Sequence, residues 1–177
     1  MTKVSLEHLK QLRQATSLGV ADCRSALEQA KGDTSLALDI LKKKGLEIAA
    51  KKSERQARAG RIASYVHFDH KIGVMAEINS ETDFVARNED FVKFCSDVAL
   101  HIAAMNPKYI KKEDLTEDIL KEQGSFGLDD FYKNNCLLEQ AFVKDPSVTI
   151  KEYLNSIIAK VGENIVIRRF ARFQLGQ

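Results

Sequence analysis

Near residue 60 the apolar residues of this chain change their repeat. Val20, Cys23, Ala26, Leu27 and Ala30, and then Leu36, Ala37, Ile40 and Leu41, recur at helical spacing. From 61 to 68 the side chains alternate instead. Ile62, Ser64, Val66 and Phe68 point one way and Ala63, Tyr65 and His67 the other. A helix repeats its faces every 3.6 residues and a strand every two. A chain that keeps the two repeats in separate blocks predicts an α+β fold, with helices first and a small antiparallel sheet backed by helices after them.

Within the helical block, Gly19, Gly32 and Gly45 fall 13 residues apart. They read as turns between three short helices, with Asp33 capping the third. Helices this short need one another's apolar faces, so residues 1–45 read as a three-helix domain. Residues 46–60 read as a basic linker helix. The wider stretch 42–61 holds eight Lys and Arg against Glu47 and Glu54, either a solvated surface or a patch for an acidic partner. It has no interleaved aromatic residue for stacking bases.

Residues 61–177 read as the α+β part. A hairpin is expected across Asp69, His70 and Lys71, a turn with no glycine. Phe91, Phe94, Cys95, Val98, Ile102 and Met105 predict a helix over 89–105, ended by Asn106 and Pro107. His101 on this helix reads as a hydrogen-bonded packing residue. Residues 113–136 look irregular, with a short helix near 114–122 and a stretch containing Gly124, Ser125, Phe126 and Gly127. Thr149 and Glu152 form a capping box for a helix carrying Ile150, Tyr153, Leu154, Ile157, Ile158 and Val161, and Gly162 stands where a left-handed stop belongs. A long strand over 165–175 follows, with Arg168 and Arg172 on one face.

Several functions find no support in the residues. The four histidines (His8, His67, His70, His101) lack metal-ligand spacing, no nucleophile and base are paired, and there is no phosphate-loop motif. The expectation is a protein that is not an enzyme, holds no cofactor or metal, and does not bind nucleotide directly. A net charge of +2 gives no broad field toward nucleic acid or membrane. No leader-like or membrane-spanning apolar run is present. Cys23, Cys95 and Cys136 are odd in number and widely spaced, which argues against a disulfide framework. A cytoplasmic protein is expected.

One segment stands apart. Thr82, Asp83, Phe84, Val85, Ala86, Arg87 and Asn88 lie between a strand and a helix. One reading is a capped helix-entry turn with Phe84 tucked into the core. The other is an exposed Phe84 that fills a partner's apolar slot, as an interface anchor does.

This segment resembles the signature of elongation factor Ts. Leu12, Arg13, Thr16, Gly19, Asp22, Cys23, Ala26, Leu27, Gly32 and Asp33 are similar to that family's ubiquitin-associated-like head. Ala49, Ala50, Lys51, Lys52 and Arg55 resemble its linker, and Val161, Gly162, Glu163, Asn164, Ile165, Arg168 and Arg169 its core motif. Where family heads read Thr-Gly-Ala-Gly-Met-Met, this chain has Thr16, Ser17, Leu18, Gly19, Val20 and Ala21, so both methionines become smaller residues. Longer members carry two core copies; this chain resembles the short members with one, and 113–136 resembles a shortened coiled-coil stub.

The resemblance implies a guanine-nucleotide exchange factor that promotes GDP release from elongation factor Tu. It implies intrusion into the partner's G domain by Thr82, Asp83, Phe84 and Val85, a head contact at Arg13, Val20 and Ala21, and a core contact at His101. With one core copy the final strand has an open edge, so a homodimer pairing Ile165, Ile167, Phe170 and Phe173 is expected. Two other classes fit the residues less fully: a general protein-interaction module using the head, and an RNA-binding protein using 42–61.

Overall fold

The computed structural model describes residues 5–16, 18–123 and 127–177, with the side chains of 121–123 left aside. Residues 124–126 of the stretch read as irregular lie outside the described residues, as does Ser17. The chain is α+β and divides into two compact units. One comprises Met1–Arg55 with Asn155–Asn164; the other comprises Gln56–Leu154 with Ile165–Gln177.

The first unit is built on α1 (Leu6–Thr16), α2 (Val20–Gln29) and α3 (Thr34–Lys52). Leu12, Leu18, Cys23, Ala26, Leu27, Ala30, Ala37 and Leu41 form its core, with Ala159 packed against them. The turn after α2 closes as the sequence predicts. Gly32 has φ +91° and its N–H donates to the Leu27 carbonyl at 2.8 Å. Asp33 Oδ1 then accepts from Ser35 N at 2.8 Å and Leu36 N at 3.1 Å, which satisfies two N–H groups that the start of α3 leaves open.

Gly45 does not end a helix. It lies inside α3 on the buried row Ala37, Leu41, Gly45, Ala49. Those positions are four apart, so they form one ridge along the helix. A glycine stops a helix only when it takes a left-handed conformation; here it stays helical and lies on the buried side of α3. The expected linker helix over 46–60 is likewise not separate. Residues 46–52 finish α3, 53–58 are irregular, and β1 begins at Ala59. Asn164 Nδ2 donates to the carbonyls of Ser53 at 3.3 Å and Arg55 at 2.7 Å.

The second unit centres on an antiparallel sheet of β1 (Ala59–Val66), β2 (Ile72–Ser80) and β5 (Ile165–Gln174), in the order β1-β2-β5. The β1–β2 hairpin turns over residues 67–71. His67 N–H donates to the Ile72 carbonyl at 2.9 Å, and His70 takes φ +58° in place of the missing glycine. Asp69 Oδ1 accepts from Lys71 N at 3.0 Å and braces the turn. At Gly60, φ is +136°, and an added Cβ would stand 2.2 Å from the Ile78 carbonyl oxygen.

β2 and β5 change register where Glu77 pairs with Arg169 and Ile78 with Ile167, so Arg168 is the extra residue of a bulge. Ile165 and Ile167 point inward before it, and Phe170 and Arg172 after it. The expectation that Arg168 and Arg172 share a face therefore fails. Arg168 is exposed near Glu77, whereas Arg172 donates through Nε and Nη2 to the Ala103 carbonyl of α5 (Glu89–Met105), both at 3.2 Å.

A short turn of helix, α4 (Asp83–Ala86), precedes α5. α5 packs on the inner face of the sheet through Phe91, Phe94, Val98 and Ile102, all fully buried. Residues 113–136 contain α6 (Glu117–Gln123) and α7 (Leu128–Asn135). Then come the two-stranded pair β3 (Ala141–Phe142) and β4 (Asp145–Thr149), and α8 (Ile150–Val161). The capping box forms as expected. Thr149 Oγ1 accepts from Glu152 N at 3.1 Å, and Thr149 N donates to Glu152 Oε2 at 2.7 Å. Gly162 follows at φ +78°. Among the described residues no helix is long and apolar enough to cross a membrane.

Candidate functional site

The segment from Ser80 to Asn88 is fixed at both ends and open in the middle. Buried Ser80 donates through Oγ to the Thr82 carbonyl at 2.9 Å. Thr82 is the N-cap of α4; its Oγ1 accepts from Val85 N at 3.4 Å. Asn88 caps the next helix, its Oδ1 accepting from Asp90 N at 2.9 Å and Phe91 N at 3.4 Å. Two caps six residues apart leave the backbone between them little freedom. Val85 and Ala86 face inward and are buried, which anchors the turn to the core.

Phe84 is the exception. Its side chain is 83% exposed although both backbone neighbours are held. Of the two readings of this segment, the capped turn is present but the tucked ring is not. A phenyl ring exposed on a braced turn is of the kind that can fill another molecule's apolar slot. Asp83 and Arg87 flank it, with Arg87 Nη2 donating to Asp83 Oδ2 at 3.1 Å. Val85 does not join them: at 4% exposure it is part of the protein's own packing, so its inclusion among the partner-facing residues is corrected. In a turn of helix that presents residue 84 outward, residue 85 points about 100° away.

His101 requires a larger correction. It is fully buried, with Nε2 3.0 Å from Gln140 Oε1 and Nδ1 accepting from Val143 N at 3.2 Å. Burial pushes its pKa down, and the bond to Gln140 offsets this only in part. Both ring nitrogens are used inside the protein, so His101 offers nothing to a partner. It holds α5 to the β3–β4 region, the packing role its helix position suggested.

One turn back on α5, Asp97 is also buried and accepts from Lys93 Nζ at 2.7 Å, Lys144 Nζ at 2.6 Å and Tyr153 Oη at 2.9 Å. Burial pushes its carboxyl pKa up, but the hydrogen bonds from Lys144, Lys93 and Tyr153 outweigh that and hold it below the usual carboxylate range. Sequence reading passed over this centre. An acidic residue on the apolar side of a helix, four positions from a lysine, was the available signal.

Arg13, Val20 and Ala21 are exposed on the first unit. On β5, Ile165 and Ile167 are buried in the unit's own core, so their side chains do not face a second copy; Phe170 is half-buried and Phe173 exposed. The edge of β5 away from β2 pairs with no strand among the described residues. The outer face of the sheet, also missed by sequence reading, carries exposed Ile62, Val66, Met75 and Phe173. Cys23, Cys95 and Cys136 are buried free thiols, and burial pushes Cys95 up to about 12. No group of residues able to hold a metal ion occurs among the described residues.

The sequence model of the family described as Elongation factor TS matches residues 9–127, more than half of the chain and all of the Phe84 turn. Elongation factor Ts of Caldanaerobacter subterraneus subsp. tengcongensis is 45% identical, covering 98% of this chain and 98% of its own length. The chain belongs to the elongation factor Ts family. The protein of that name from Fervidobacterium nodosum is 43% identical over 99% of this chain and 100% of its own, and that of Geotalea daltonii 45% identical over 98% and 90%. Membership makes the chain a translation elongation factor, a protein of protein biosynthesis. Because the family match spans residues 9–127, it includes Arg13, Val20 and Ala21 of the first unit together with the turn that carries Phe84.

Proposed function

We infer that this chain is the guanine-nucleotide exchange factor of elongation factor Tu. It binds the GDP-bound GTPase and promotes release of GDP so that GTP can rebind. The observation that carries this reading is the exposed Phe84 ring on a turn whose backbone is capped at both ends. Such a factor makes no covalent change and is not an enzyme. It acts by binding the nucleotide-free partner better than the GDP-bound one. Linkage then requires that it weaken GDP by the factor by which GDP weakens it.

Phe84 enters an apolar slot of the partner's G domain and brings Asp83 toward the groups that hold Mg²⁺ and the phosphates. Mg²⁺ demands near-ideal octahedral geometry, so small displacements of its ligands weaken the nucleotide site. Arg13, Val20 and Ala21 hold the G domain through the head. The factor itself binds no nucleotide, nucleic acid or membrane and works in the cytoplasm. It pairs as a homodimer along the open edge of β5, where exposed Phe173 lies beside the side chains of the second copy's strand.

The test is release of a fluorescent GDP analogue from elongation factor Tu, with and without this chain. Acceleration that grows with factor concentration is expected; release at the spontaneous rate overturns the reading.

A further inference from the structure

The Phe84 turn has a third outward-facing member to which the family likeness assigns no role. Asp83, Phe84 and Arg87 sit at positions i, i+1 and i+4, while Val85 and Ala86 between them are buried. Arg87 Nη2 donates to Asp83 Oδ2 at 3.1 Å, and the two side chains are 81% and 73% exposed. Arg87 is the one basic residue from 79 to 92, a stretch that also holds Glu81, Glu89 and Asp90. Asp83 is thus followed directly by the exposed ring and paired one helical turn on with Arg87, in a stretch of sequence whose other charges are acidic.

We propose that Arg87 is the positioning residue for Asp83, so that carboxylate, ring and guanidinium dock on the partner GTPase as one preformed group. The inference rests on the exchange-factor reading above. An ion pair this exposed adds little to folding stability, so the fold does not depend on it. Its effect is on where the carboxylate stands. A free aspartate samples several rotamers; a paired one samples fewer. Freezing a side chain on docking costs free energy, and one already held costs less. The backbone beneath is braced by Ser80, Thr82 and Asn88, so holding the Asp83 side chain leaves the loop conformation unchanged.

The experiment measures GDP release from elongation factor Tu across factor concentrations for the full chain, Arg87→Ala, Arg87→Lys, Asp83→Asn and the Asp83→Asn/Arg87→Ala double variant. Arg87→Ala is expected to lower the concentration-dependent rate about threefold or more, with the deficit shrinking at high salt as the pair in the native chain is screened. Arg87→Lys restores most of the rate. The double variant is no worse than the worse single one, because both remove the same interaction. The melting temperature of Arg87→Ala stays at the native value.

A native rate for Arg87→Ala, losses that multiply in the double variant, or a lowered melting temperature overturns the proposal. The two readings separate cleanly. If the native chain accelerates release and Phe84→Ala impairs it while Arg87→Ala does not, only the role of Arg87 falls. If the native chain gives no acceleration, the exchange reading falls and takes this proposal with it.

Discussion

Nε2 of His101 lies 3.0 Å from Oε1 of Gln140, so α5 is joined to the chain just ahead of β3 through a buried imidazole. With Val143 N–H donating to Nδ1, the proton of the neutral ring belongs on Nε2, facing the Gln140 oxygen.

That arrangement sets a pH dependence. Burial lowers the folded pKa of His101 below its ordinary 6.5. At pH 7.5 the ring is neutral in both states and the effect is absent. As pH falls through 6.5 the unfolded chain takes up a proton that the folded site refuses, and stability drops by up to about 1.4 kcal/mol per pH unit from this group. Denaturant unfolding at pH 7.5 and 5.5 should show the loss, and His101→Gln should flatten it while costing about 1–3 kcal/mol at both pH values.

Asp97 works in the same direction, in a more acidic range. Its folded pKa is lowered, so its contribution is present above the ordinary carboxylate range and is lost as pH falls through the folded value. Asp97→Ala removes one acceptor of the Tyr153 hydroxyl and leaves Lys93 and Lys144 able to turn to solvent. A loss of about 1–3 kcal/mol in urea unfolding at neutral pH is expected.

Two glycines should respond with opposite sign. Gly60→Ala places a methyl group against the Ile78 carbonyl and forces a conformation that alanine avoids; a loss of about 3 kcal/mol or more, or failure to fold, is expected. At Gly45 nothing lies within 4 Å of the added carbon. Gly45→Ala should raise stability by roughly 0.5–1 kcal/mol, read as a higher melting temperature.

Adjacent residues of the turn should separate function from stability. Phe84→Ala removes a ring worth roughly 1.5–3 kcal/mol when buried in a partner and is expected to slow stimulated GDP release about tenfold or more, with an unchanged melting temperature. Val85→Ala truncates a buried side chain, so it should lower the melting temperature instead.

The open edge of β5 leads to a prediction of assembly. Sedimentation at micromolar concentration should give a dimer, and Phe173→Lys on the exposed outer face should weaken it. A monomer for the native chain would remove the pairing.

What could be read in the sequence was local. The Thr149–Glu152 box, the Asp33 cap and the stop at Gly162 each depend on residues within a few positions, and each formed. Gly45 was misread because a stop depends on backbone conformation, which the ridge from Ala37 to Ala49 decides. The bulge at Arg168 depends on register against β2, which no periodicity within β5 records. At the site, the capped turn was legible but the direction of Phe84 was not, since a ring between a carboxylate and a valine suits either side. His101 shows the cost of letting likeness outrank position: beside Ile102 on an apolar helix, it already had the place of a core residue.

The extra residue in β5 also limits what length changes this strand can absorb. Odd-numbered side chains fill the core up to Ile167 and even-numbered ones from Phe170 onward. Deleting one residue after Arg168 would send Phe173 inward and turn the Arg172 guanidinium away from α5. Viable length variants of this strand must therefore lose or gain residues in twos, or move the kink itself.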